Sequence, residues 1–200
     1  MITIINYGMG NLRSVQKAFE KVGFEAVATN DPADVEKASK LVLPGVGAFG
    51  DAMGNLRRME LVQPIRERVA RGIPMLGICL GLQLFFEESA EKGTHAGLGI
   101  FEGKVRLFPK TLHVPQIGWN QIHIRRPSPI LNGVPDGSFF YFNHSYYVDP
   151  VHPEEVTTTT DYGMDYTSIV GRDRVFGIQF HPEKSQRFGL RILKNFGNIE

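Results

Sequence analysis

The chain has 200 residues, of which 42% are hydrophobic and 22% charged, and its formal net charge is +1. That make-up belongs to a globular protein long enough to close a full core in one domain, residues 1–200, and its near-neutral charge gives no electrostatic case for binding nucleic acid or an anionic membrane. No apolar run approaches the roughly 20 residues of a membrane span, and Met1 to Ile5 carries no cationic leader, so the expected location is cytoplasmic. Taken in chain order, Ile2 to Asn6 reads as a short buried strand. Asn11 to Val22 reads as a helix, with Leu12, Val15, Ala18, Phe19 and Val22 at helical spacing. Glu25 to Thr29 is a second strand. Pro32 to Ser39 is a short helix with Asp31 as N-cap and Pro32 in its first turn. Leu41 to Leu43 is a third strand, cut by Pro44-Gly45. Phe49 to Arg71 is helical with a break expected near Gln63-Pro64. Met75 to Ile78 is a fourth strand, and Leu80 to Ser89 returns as a helix. Strands alternating with helices imply a parallel sheet covered on both faces.

The second half changes character. Val105–Phe108, Gln121–Ile124, Ser138–Phe142, Tyr146–Val148, Val156–Thr160, Thr167–Val170 and Val175–Phe180 are short strand candidates separated by turn residues such as Asn132-Gly133 and Asp136-Gly137. They predict a mixed, partly antiparallel extension of the sheet. A helix from Ser185 to Asn195 closes the series. No internal repeat or low-complexity tract divides the chain.

Three motifs carry chemistry. Gly77-Ile-Cys-Leu-Gly81 holds Cys79, the only cysteine. A lone Gly-x-Cys-x-Gly reads equally as a buried cysteine or a nucleophile. An apolar strand before it and a helix after it favour a nucleophile elbow, with the sulfur at a helix N-terminus and the Leu80 N–H aimed at a developing oxyanion. His181-Pro-Glu183 follows the apolar run Val175–Phe180. In extended backbone residues two apart share a side, so Glu183 is placed to orient His181 as a base for Cys79. Alone, such a pair reads as a strand-end histidine beside an unrelated glutamate; its position at a strand's carboxyl end, like that of Cys79, favours a shared site. Pro44-Gly-Val-Gly47 follows the neighbouring strand, and its glycines let the backbone turn N–H groups toward a ligand. A plain strand-to-helix turn is the alternative. No Lys-Ser/Thr follows, which argues against a phosphate loop. His95, His113, His123 and His152 fall in loops or polar strands, no pair has metal-ligand spacing, and no metal or cofactor is expected.

At these residues the chain resembles the class I, triad-type glutamine amidotransferases. The matching pieces are Pro44-Gly-Val-Gly47, Gly77-Ile-Cys-Leu-Gly-Leu-Gln83 and Gln179-Phe-His-Pro-Glu183, in the family's order. Within that class, Asn6-Tyr-Gly-Met-Gly-Asn-Leu12, Gly118-Trp-Asn120, His144-Ser-Tyr-Tyr147 and His181-Pro-Glu-Lys-Ser185 are similar to the glutaminase subunits of histidine biosynthesis. Leu82 stands where relatives serving other pathways often have His, and Gln116 where the family more often has His. The resemblance implies a flavodoxin-like α/β fold and a catalytic triad of Cys79, His181 and Glu183. It further implies an oxyanion hole from Val46, Gly47 and Leu80, and glutamine contacts from Gly47, Gln83, His144, Ser145 and Tyr146. No second domain is visible for the acceptor substrate, so the resemblance implies a heterodimer with a separate barrel-shaped synthase (cyclase) subunit that receives the ammonia. Asn11, Trp119, Tyr141 and Lys184 match positions that face that partner. Two other readings remain at this level: a stand-alone thiol hydrolase of the same architecture, and a silent binding subunit that kept the fold.

Overall fold

The computed structural model describes residues 1–200. The first half alternates strictly: β1 (Ile2–Ile5), α1 (Leu12–Lys21), β2 (Ala26–Thr29), α2 (Pro32–Lys37), β3 (Leu41–Gly45), α3 (Phe49–Arg58), α4 (Val62–Ala70), β4 (Met75–Cys79) and α5 (Leu80–Leu84). The second half is mostly strand: β5 (Phe86–Ser89), β6 (His95–Ala96), β7 (Phe101–Leu107), β8 (Gln116–Gln121), β9 (His123–Ile124), β10 (Phe139–His144), β11 (Tyr146–Pro150), β12 (Val156–Asp161), β13 (Asp165–Arg172) and β14 (Val175–Ile178), then α6 (Gln186–Gly197).

Ten strands run in the order β2-β1-β3-β4-β14-β13-β11-β7-β5-β6, with β12 and β9 branching from β13. From β2 to β14 the pairing is parallel; β13 enters antiparallel against β14, and most of the extension beyond it is antiparallel. This is the open α/β sheet with a mixed extension that the sequence predicts. Residues of β1, β3, β4 and β14 are buried on both faces, which is why they read as apolar runs, while the edge strand β2 leaves Val27 exposed. Ile4, Val42, Leu76 and Ile78 pack toward α1 and α6, while Ile5, Leu43 and Met75 pack toward α2 to α5. A separate antiparallel ribbon, β8 with β10, lies off the main sheet. No helix is long and apolar enough to cross a membrane.

Several expectations are corrected. Leu80 to Ser89 is not one helix. It stops at Leu84, and Phe86–Ser89 is a strand beside β7, with Phe86 opposite Phe101. An apolar run buried on every side carries no period that separates helix from strand; the pairing with β7 decides it. The break between α3 and α4 falls at Met59–Leu61, with Glu60 at φ 56°, rather than at Gln63-Pro64. Pro64 sits in the first turn of α4, where its missing N–H would have had no helical partner. β3 runs on through Pro44-Gly45, pairing Gly45 with Cys79. Gln121 to Ile124 divides between two strands of different sheets, and Gln179-Phe180 lie beyond the end of β14.

Candidate active site

β4 delivers Cys79 at φ 55° and ψ −110°, a conformation that L residues avoid. Such a residue costs about 1–3 kcal/mol and persists only where its surroundings dictate it. Here the flanking glycines dictate it. A Cβ on Gly81 would lie 1.8 Å from the Leu43 carbonyl oxygen, and one on Gly77 would lie 2.7 Å from the Phe85 ring and 2.8 Å from Gly81 backbone. Only glycine lets α5 leave β4 at that angle and press against β3. Since α5 has five residues, its dipole is weaker than the longer helix the sequence suggests, and support for negative charge at sulfur must come from neighbouring side chains. The Cys79 Sγ lies 3.8 Å from the Asn143 carbonyl oxygen and receives the Gln179 Nε2 at 3.8 Å. Gln179 ties it in turn to Gln83, whose Nε2 donates to Gln179 Oε1 (3.2 Å) and to the Tyr146 carbonyl (3.0 Å).

His181 and Glu183 meet as expected but by a different route. The chain after His181 turns through a 3-10 segment, Pro182–Lys184, and this turn, not extended backbone, brings Glu183 Oε1 to 2.9 Å from His181 Nδ1. The turn is pinned at both ends: the His181 N–H donates to the Tyr141 carbonyl, and Ser185 Oγ donates to the His181 carbonyl while accepting the Tyr141 N–H. Both side chains are almost wholly buried, at 5% and 2% exposure. Burial works against a charged imidazole, but the neighbouring Cys79 and the hydrogen-bonded Glu183 carboxylate outweigh it and raise His181 to about 10. His181 therefore holds a proton at neutral pH and supplies the positive charge beside the sulfur.

Cys79, His181, Val46, Gly47, Leu80, Gln83, Ser145, Tyr146, Lys184 and Glu91 share a cavity of about 280 Å³. Gly45 pairs with Cys79 across the sheet, which carries Val46-Gly47 to the side of the nucleophile; Gly47 is at φ 97°. His144 contributes to the wall, yet its ring points into the core among Phe108, Phe142 and Tyr166. Its Nδ1 donates to the Tyr146 carbonyl at 2.7 Å, and Nε2 lies 3.3 Å from Tyr166 Oη, which bonds Gln116. Burial, partly opposed by the bond to Tyr146 and reinforced by His181, lowers its pKa to about 4, so the ring is neutral.

Glu91 escapes sequence reasoning. Its Oε2 accepts the Phe49 N–H at 2.7 Å, capping α3 just after the Pro44–Gly47 segment, and the residue lines the cavity. Nothing local marks it, because only the fold brings residue 91 to α3. A larger open hollow of about 730 Å³ lies beside Trp119, Phe139 and Phe188, without Cys79 or His181 in its walls. The β8–β10 ribbon turns one face outward: Ile117, Trp119 and Phe139 are exposed, and Trp119 meets Tyr141 edge-on at 6.3 Å. Lys184 Nζ lies 5.6 Å over the Tyr141 ring, and Asn11 is exposed at the start of α1.

The model of the glutamine amidotransferase class-I family matches residues 3–198. The imidazole glycerol phosphate synthase subunit HisH of Syntrophotalea carbinolica is 57% identical over 206 residues, covering 100% of both chains. Its namesake in Aquifex aeolicus is 55% identical over 194 residues, covering 96% of this chain and 94% of its own. Among solved structures, a glutamine amidotransferase superposes with a TM-score of 0.77 at 19% identity over 98% of each chain. PurLQS from Thermotoga maritima gives 0.77 at 19%, over 98% of this chain and 97% of that one. At that identity the two structures speak to the fold alone.

Proposed function

The chain belongs to the class I glutamine amidotransferase family, and from that premise we propose that it is the glutaminase subunit of an imidazole glycerol phosphate synthase, making ammonia from glutamine for a partner subunit in histidine biosynthesis. The observation that carries the chemistry is the meeting of a strained elbow cysteine with a buried His181–Glu183 pair at one cavity. Cys79 attacks the side-chain amide carbon of glutamine. The tetrahedral oxyanion is held by the backbone N–H of Leu80 and by the Val46-Gly47 segment. His181, protonated at rest, gives its proton to the departing ammonia, leaving a glutamyl thioester on Cys79. Water then attacks the thioester, His181 takes its proton, and glutamate leaves. Glu183 holds the imidazole in place and supports its charge.

The cavity suits a zwitterion. Glu91 offers a carboxylate to the α-ammonium, while Gly47, Gln83, Ser145 and Tyr146 surround the rest. His144 acts on this wall from behind, by holding the Tyr146 carbonyl. A barrel-shaped synthase subunit docks on the exposed face of Ile117, Trp119 and Phe139, next to the half-buried Tyr141 and the Lys184 over its ring, and on the exposed Asn11, to form a heterodimer and receive ammonia.

Glutamate release separates this reading from a stand-alone hydrolase. The free chain should turn glutamine over slowly, and the heterodimer carrying imidazole glycerol phosphate much faster, mainly in kcat. Losing one oxyanion donor costs about 10²–10³ in rate, so a segment that completes the hole only on docking accounts for such a gap. Cys79→Ala should abolish release while the variant still binds the partner. Equal rates with and without partner would discard the coupled reading, and full activity in Cys79→Ala the mechanism.

A further inference from the structure

Tyr7 is completely buried, and its hydroxyl has no hydrogen-bond partner. Buried hydroxyls are nearly always paired, so an orphan beside a reacting centre requires an explanation. Its surroundings supply one. A Cβ on Gly45 would lie 2.2 Å from the Tyr7 Oη, so only a glycine there lets the phenol reach the backbone of the Pro44–Gly47 segment. Met9 and Gly10 lie along the same segment: a Cβ on Gly47 would lie 2.7 Å from Met9 Cε, and one on Gly10 would be in ordinary contact with Gly45 Cα at 3.6 Å. Residues 7–10 thus form a cradle under the segment, with the Tyr7 backbone carbonyl anchored by Asn55 Nδ2 at 3.0 Å. Burial, and then the nearness of Cys79, raise the phenol's pKa, which keeps it a proton donor.

We propose that Tyr7 is a positioning residue for the oxyanion hole: its buried O–H is unpaired in the resting arrangement and donates to a backbone carbonyl of Pro44–Gly47 when that segment turns an N–H toward the oxyanion. The inference rests on the oxyanion role proposed for Val46-Gly47. A peptide that turns moves its carbonyl to the side opposite its N–H. Tyr7 is absent from the walls of the cavity and its hydroxyl lies against Gly45, so one rotation that swings a carbonyl of the segment toward it would satisfy the phenol and complete the hole. The orphan hydroxyl then biases the segment toward the competent form, because that form relieves it.

Tyr7→Phe deletes one oxygen and keeps the ring. In the heterodimer with imidazole glycerol phosphate bound, kcat for glutamate release should fall about tenfold with KM for glutamine within twofold of wild type. The free chain should melt at the same temperature or higher, since an unpaired hydroxyl is removed. A stimulated kcat within twofold of wild type overturns the proposal. So does a lowered melting temperature in the free chain, which would mean that the hydroxyl supports the resting fold. Gly47→Val, checked for partner binding, tests the underlying reading. If it binds the partner and keeps full stimulation, the oxyanion role of the segment falls and Tyr7's with it. If it loses stimulation while Tyr7→Phe keeps it, only the assignment of Tyr7 falls.

Discussion

His181 and Glu183 sit 2.9 Å apart, yet their shares of the chemistry differ. His181 moves the proton in both half-reactions, so its replacement by Ala should lower kcat nearly as far as Cys79→Ala. Glu183→Gln removes charge and orientation but not the proton carrier, and about 10²–10⁴-fold should be lost with a measurable residue. Steady-state glutamate release on the stimulated heterodimer measures both. His144 sets a pH limit on stability. Its folded pKa is lowered from 6.5 to about 4, so the unfolded chain binds a proton in that interval that the folded chain refuses. The sign follows: stability from this group is complete above pH 6.5 and is lost as pH falls toward 4, by roughly 3 kcal/mol in all. Denaturant midpoints between pH 7 and 4 should show that slope, and His144→Gln should flatten it. The three motif residues were legible in sequence because chemistry demands their types at fixed offsets. Glu91, Gln179 and Tyr7 were less so, since each owes its place to a contact across the fold.

At the scale of elements, the elbow and its helix show how differently two glycines can count. Gly54, inside α3, has φ in the ordinary range and open space where a Cβ would sit. Gly54→Ala should stabilise the chain by about 0.5–1 kcal/mol. Gly81→Ala drives a methyl into the Leu43 carbonyl and must part α5 from β3, at about 3 kcal/mol or more, with Cys79 displaced. Urea midpoints compare the two, and an equal effect would refute the packing account of the elbow. Strands of the parallel half lie close to where the sequence predicts them, because continuous apolar runs leave few alternatives, and α2 starts where Asp31 caps it. Phe86–Ser89 departs from the expected helix for the opposite reason: Leu80 to Phe86 is buried without interruption, and the partner strand that fixes residue 86 onward lies at residue 101.

Across the whole molecule, the last strand in sequence is central in space. β14 lies between β4, to which it is parallel, and β13, to which it is antiparallel, and so joins the two halves of the sheet. Removing it would divide the structure, so the 200 residues should unfold as one unit, with fluorescence of Trp119 and far-ultraviolet dichroism giving coincident urea curves. Separate transitions would show two domains. Alternating strands and helices made the sheet's parallel half predictable, but the strand order that puts β14 in the middle left no mark in local sequence.

That placement has a consequence for synthesis. A nascent chain that has cleared the ribosome only as far as Arg174 already carries Cys79 but neither His181 nor Glu183, and the flanks of β4 and β13 that await β14 are still bare. Until the final stretch emerges the polypeptide has no competent base and two unfilled strand edges. Premature termination there should yield a sticky fragment that consumes no glutamine and falls to aggregation or proteolysis.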